Sequence, residues 1–216
     1  NVTTFFDAAM SSNGWIVGGA QDNGTQLQTF GAFGNQTPLG TIEINSGDGF
    51  DCAFSSFGTG IVYATAQYGI IERAVPGGSM APFYDNYLVG QTGVGNSPFH
   101  TVIENWENEN DSLSIDTINI VVDTLGHYNA EGDTIFAGDT LFAGKVINYL
   151  SLTNEIALTY TLASTIVLDS ILDTIRVVDP LQNRFVARTG VGCYLTKDAA
   201  RLNITKYKWF QISNRT

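Results

Sequence analysis

Apolar residues alternate with polar ones at a period of two over 156–162: Ile156, Leu158, Tyr160 and Leu162 fall on one face, and Ala157, Thr159 and Thr161 on the other. That is the signature of a half-buried antiparallel strand. Comparable short runs rich in β-branched and aromatic residues predict strands over 15–18, 41–44, 61–65, 70–73, 101–106, 113–122, 134–136, 140–142, 145–149, 165–168, 174–178, 184–188, 193–196 and 209–213. Within 113–122 the parity changes, with Leu113 and Ile115 on one face and Ile118, Ile120 and Val122 on the other, so a bulge or bend is expected near Asp116 and Thr117. The one helix candidate, 197–202, is too short to shape the architecture.

Turn residues concentrate early. Asn13-Gly14, Asp22-Asn23-Gly24, Ser46-Gly47-Asp48-Gly49 and Pro76-Gly77-Gly78 supply positions that tolerate positive φ, as tight hairpins require. Composition agrees: 23 Gly, two Met and few Lys, Glu or Arg leave almost no helix-forming surface. No apolar run approaches the roughly 20 residues of a spanning helix. The first residues, Asn1 to Asp7, carry no initiator Met, basic n-region or apolar h-region, so a processed product or a piece of a longer chain is expected.

Charge divides the chain. The net charge of −11 disfavours nucleic acid and anionic membrane surfaces as partners. Between Asp111 and Ile175 seven Asp and two Glu oppose the single Lys145, giving −8, whereas the rest holds twelve acids against nine bases, giving −3. Three parts are therefore expected: 1–107, an acidic insertion over 108–175, and 176–216.

Residues Trp15 to Thr25, reading Trp-Ile-Val-Gly-Gly-Ala-Gln-Asp-Asn-Gly-Thr, resemble the Gly-Gly-x-Gln-Asp-Asn-Gly-Thr signature of large β-propellers related to sortilin-like and BNR-repeat proteins. In the same order follow Ser46 to Asp51, like the Gly-Asp-Gly turn of those proteins, and Ile61 to Arg73, like their Tyr…Gly-x-Ile-x-Arg strand pair. Asn183 to Ala187, Val191 to Ala200 and Lys208 to Ile212 resemble a further blade. The resemblance implies an all-β fold of propeller-like blades with a β-sandwich-like acidic insertion. It also implies an exported, cell-surface or secreted protein of the kind found in Bacteroidota, many of which leave by type IX secretion. No intact Ser-x-Asp-x-Gly-x-Thr-Trp box occurs; 196–200 is at best a degenerate one. A blade takes roughly 40 to 45 residues and closure at least four blades. Without the insertion about 150 residues remain, enough for three, so a partial propeller is expected, completed from elsewhere.

One local pattern sets the insertion apart. Asp followed by Ser or Thr and then Leu or Ile places candidate hydroxyls at Ser112, Thr117, Thr124, Thr134, Thr140, Ser170 and Thr174; every Asp of the segment obeys the pattern and none of the seven elsewhere does. It resembles the O-glycosylation acceptor of exported Bacteroidota proteins; alternatively, Asp and Thr simply start strands well. Six Asn-x-Ser/Thr sequons, at Asn1, Asn23, Asn35, Asn110, Asn203 and Asn214, are partly chance in such a composition.

Little else carries chemistry. Asp22, Asp48 and Asp51 are oxygen donors in Gly-rich turns, as Ca2+ requires, but match no EF-hand or RTX spacing; turn stabilisation is the simpler role, and no cofactor is expected. The same residues, Asp22 with Asp48 or Asp51, would be the carboxylate pair of a glycoside hydrolase, the enzymatic alternative. His100 and His127 lie in no zinc spacing. Cys52 and Cys193 fit no Cys-x-x-Cys pattern; in an exported protein they form one long-loop disulfide, or stand as two buried thiols. Trp15, Trp106, Trp209, Tyr63, Tyr68, Tyr84 and Tyr87 either line a sugar or peptide site or fill the core. The expectation is a non-enzymatic extracellular scaffold for adhesion or filament assembly. Its partners would be other segments of the same protein, surface-assembly proteins or glycans, with no membrane insertion.

Overall fold

The computed structural model describes residues 3–29, 40–57, 60–74, 81–82, 96–121, 127–128, 134–135, 138–153, 156–169, 174–201 and 207–214. The protein is all-β. Two compact units divide it: Asn1–Glu107 together with Asn183–Thr216, and Asn108–Gln182.

In the first unit, sheet A runs β1 (Phe5–Met10), β2 (Ile16–Ala20), β3 (Gly24–Gln28) and β4 (Ile42–Asn45), each strand antiparallel to its sequence neighbour. Sheet B repeats the order with β5 (Cys52–Phe54), β6 (Val62–Thr65), β7 (Ile71–Ala74) and β8 (Ala81–Pro82). A 3-10 turn, Gln67–Gly69, joins β6 to β7. Sheet C opens with β9 (Ile103–Asn108).

The second unit then intervenes with β10 (Thr117–Val121), β11 (His127–Tyr128), β12 (Thr134–Ile135), β13 (Thr140–Leu141), β14 (Val146–Leu150), β15 (Ala157–Thr161), β16 (Ile166–Val167) and β17 (Thr174–Val178). They pair as β10 with β17, β11 with β12, β13 with β16 and β14 with β15, all antiparallel. Sheet C is completed by β18 (Gln182–Arg188), β19 (Gly192–Thr196) and β20 (Phe210–Asn214), in the spatial order β9, β18, β19, β20. The boundary expected at 175 falls inside β17, whose register with β10 holds both strands in the second unit as far as Gln182.

The sheets of the first unit stack in sequence because both faces of sheet B are apolar. Ala9, Val17, Leu27 and Ile42 stand abreast across sheet A and close on Cys52, Phe54, Val62 and Ala74 of sheet B. On the other side, the Tyr63 ring lies 4.7 Å from Phe185 of sheet C, which meets Trp209 edge-on at 6.1 Å. Arg73 reaches across that seam, donating from Nη1 to the carbonyls of Ala199 (2.6 Å) and Arg201 (2.7 Å) and from Nη2 to the Tyr207 hydroxyl (2.8 Å). These charge-assisted bonds satisfy a buried guanidinium.

In the second unit Ile120, Ile147, Tyr149, Leu162, Leu168, Ile175 and Val177 form one core. Leu158, Tyr160 and Leu162, and Ile118 with Ile120, contribute to it on the faces read from the sequence. Asp179 is fully buried beside that core, accepting from Ser151 Oγ (2.8 Å) and from the backbone N–H groups of Leu152 (2.9 Å) and Leu181 (3.1 Å). The parity change near 116 is not a bulge. Residues 111–116 form a turn, with Leu113 N–H donating to Asp111 Oδ1 (3.0 Å), and the strand begins at Thr117. Likewise 197–201 is a turn, with Asp198 N–H on Thr196 Oγ1 (3.0 Å), rather than a helix.

Two glycines of the early turns are required by close approach. A Cβ at Gly19 would overlap the Phe50 backbone, and one at Gly49 would overlap the Gly24 carbonyl. Gly19→Ala should therefore lower the stability of the first unit by about 3 kcal/mol. Gly14→Ala, at φ +84° with open space around it, should cost only about 1–2 kcal/mol. Urea melts read by tryptophan fluorescence check this, since Trp15, Trp106 and Trp209 all belong to the first unit.

Candidate functional site

The first strands of successive sheets are tied by carboxylates. Asp7 in β1 accepts the Cys52 N–H of β5 at 3.0 Å, and Asp51, just before β5, accepts the Ile103 N–H of β9 at 3.1 Å. Both bonds set a carboxyl oxygen on a backbone donor at a seam between sheets, where an unpaired N–H would be penalised. Asp51 also meets His100 Nε2 at 2.8 Å. Phe6, Phe50, Phe99, His100 and Tyr68 form a continuous chain of ring contacts around this pair, at 4.7 to 5.5 Å between centroids. Neither Asp7 nor this ring chain was expected. The signal was the Phe-Asp pair recurring at 6–7 and 50–51.

The three candidate carboxylates are not assembled. Asp48 Oδ1 accepts the Asp22 backbone N–H at 2.9 Å, locking a turn in which Asp22 sits at φ +62°. Asp51 instead points to His100 and Ile103. Among the described residues no three His, Cys, Asp or Glu side chains converge as a metal would need. Asp22 and Asp48 line a shallow recess with Asn23, Gly24, Glu43 and Gly47, and their shared bond is the turn-forming kind.

Cys52 and Cys193 are both free thiols, which corrects the disulfide alternative. Cys52 is buried at the A–B seam with Sγ directed at the carbonyls of Val17 (3.6 Å) and Asp7 (3.7 Å). Cys193 lies in β19 of sheet C, paired with Arg188. Burial first, then the Asp7 charge, pushes the Cys52 thiol up to about 12.

Of the seven Asp-Ser/Thr hydroxyls, Thr117, Thr134, Thr140 and Thr174 are each the first residue of a strand, β10, β12, β13 and β17. Ser112 is exposed in the 111–116 turn; Thr140 and Thr174 are also exposed, and Thr117 is half-buried. Thr124 and Ser170 lie outside the described residues, as do Tyr84, Tyr87, Asn1, Asn35 and Asn203. At the four strand starts the β-branched Thr enters the pleat, as its strand preference favours. Tyr63 and Trp209 are core residues and Trp106 is exposed on β9. His127 lies in β11.

The Cys52 thiol gives a pH prediction. Its folded value lies above the ordinary 9.0, so above that pH the unfolded chain releases a proton that the folded one retains. This contribution to stability is complete below about pH 9 and is lost as pH rises towards 12. Alkaline urea melts should show a fall between those limits that Cys52→Ala lessens, most clearly between pH 9 and 10, since burial also raises the Tyr63 hydroxyl well above 10 and adds its own fall at higher pH. Against protein-family models, curated proteins and solved structures, no match to this chain is found.

Proposed function

We propose that the first unit is a run of three propeller-type blades from a non-enzymatic extracellular scaffold, and that the second is a β-sandwich-like acidic insertion displayed by it. The observation that carries this reading is the stack of three antiparallel four-stranded sheets, whose two outer faces expose large apolar side chains among polar ones. On sheet A, Met10 pairs with Ile16 on the face away from sheet B, and they are 73% and 43% exposed. On sheet C, Val186, Leu195 and Phe210 stand abreast opposite the buried face that holds Phe185 and Tyr194, with Phe210 55% exposed. Exposed apolar side chains of this size mark an interaction face, and further sheets of the same kind are the partners they fit.

The charge distribution supports a display role. The second unit holds eleven Asp and Glu against Lys145 and Arg176, net −9, while the first holds ten acids against eight bases, net −2. Among the described residues, exposed Ser112, Thr140 and Thr174 are the candidate hydroxyls most open to O-linked sugar, which would shield that surface further.

Hydroxyl-radical footprinting tests the scaffold. In the protein as isolated from its source, Met10 and Phe210 should be labelled several-fold less than in the 216-residue chain alone; equal labelling would overturn the reading. Intact-mass analysis of the same material should show sugar on the second unit, and a bare peptide mass removes that part.

A further inference from the structure

Within the first unit, a cavity of about 430 Å³ opens at one end of sheet C, lined by Asn96, Ser97, Arg188, Cys193, Ser213 and Asn214 together with the 189–192 turn. Strand register builds its floor. Arg188 pairs with Cys193, and Cys193 with Ser213, so a guanidinium, a thiol and a hydroxyl stand abreast on one face of three adjacent strands. The turn is held by Thr189 N–H on the Gly192 carbonyl (2.9 Å) and Val191 N–H on Thr189 Oγ1 (3.3 Å), so the wall is preformed.

The chemistry of the lining selects a ligand. The chain carries −11, yet no Asp or Glu lines this cavity, and Arg188 is the one ionic side chain among its lining residues. A guanidinium fork suits a carboxylate better than any neutral group. Asn96, Asn214 and Ser213 add amide and hydroxyl groups that both donate and accept, a set that suits the hydroxyls of a polyol beside the carboxylate. Pro98 and Val191 offer apolar wall for C–H faces. The volume lies in the range of small-ligand sites.

We propose that this cavity binds a small carboxylate rich in hydroxyls, a hexuronate being a simple case, with the carboxylate on Arg188 and the body of the ligand over Cys193. The inference stands apart from the scaffold reading, and its failure leaves that reading intact.

Cys193 supplies the readout. Cys52 is sealed in the A–B seam, so iodoacetamide on the folded chain reports Cys193, followed by peptide mass. At D-glucuronate about ten times its Kd, alkylation should slow about tenfold. Glucose, acetate and sulfate at matched ionic strength should leave the rate within about twofold. Arg188→Gln should abolish the protection, read as the ratio of the rates with and without ligand in the same variant because the guanidinium beside the thiol affects its basal rate, while the thermal midpoint stays unchanged. Protection by acetate or sulfate equal to that by glucuronate, or none by any of them, overturns the proposal on the unaltered chain alone, as does protection that survives in a folded Arg188→Gln protein.

Discussion

A four-stranded sheet with apolar side chains on both faces is not stable in water unless both faces are covered, and this requirement governs the first unit. Sheet B meets it completely, with Cys52, Val62 and Ala74 turned to sheet A and Tyr63 and Arg73 to sheet C. Covering at this density needs backbones to come closer than side chains allow, which is why glycine stands at 19 and 49. The turn motif of sheet A and the segment entering sheet B are therefore one device, two loops fitted backbone to backbone.

Polar groups at the seams fix which sheet follows which. An apolar face alone accepts many partners and many registers, whereas a carboxylate aimed at one N–H accepts one. Asp7 on Cys52 and Asp51 on Ile103 repeat this contact across successive seams. The exposure of His100, 42% at its side chain, leaves the second junction partly open to solvent, so its hydrogen bond is worth less than that of a sealed pair.

Hairpins were legible where the chain declares them locally. Asp22-Asn23-Gly24 and Ser46 to Gly49 mark turns because positive φ restricts the residue choice, and the alternation over 156–162 marks β15 because one face is half-buried against the core. β1, Phe-Phe-Asp-Ala-Ala-Met, and β3, Gly-Thr-Gln-Leu-Gln, were missed. Ala, Gln and Gly have little strand preference of their own, and these segments are strands because neighbours on the sheet demand it. The Asp-Ser/Thr pattern was legible as a pattern, and four of its seven hydroxyls, Thr117, Thr134, Thr140 and Thr174, open strands. The cavity was invisible because Arg188, Cys193 and Ser213 meet only through the register of β18, β19 and β20, and no local spacing encodes that.

The same non-local logic explains how sheet C tolerates an insertion. β9 and β18 are sheet neighbours although 74 residues separate Asn108 from Asn183 in the chain, and loop-closure entropy rises only slowly with loop length. What matters is that the two ends are held. Asn183 Nδ2 donates to Asn105 Oδ1 and to Glu107 Oε1, both at 2.9 Å, and Glu107 accepts Ser55 Oγ (2.7 Å) and Ser56 Oγ (2.9 Å) from sheet B. Entry and exit are thus clamped to each other and to the neighbouring sheet before the second unit contributes a single contact. With its own core and its own buried Asp179, that unit is free to vary in length, charge and surface chemistry while sheets A, B and C keep their register.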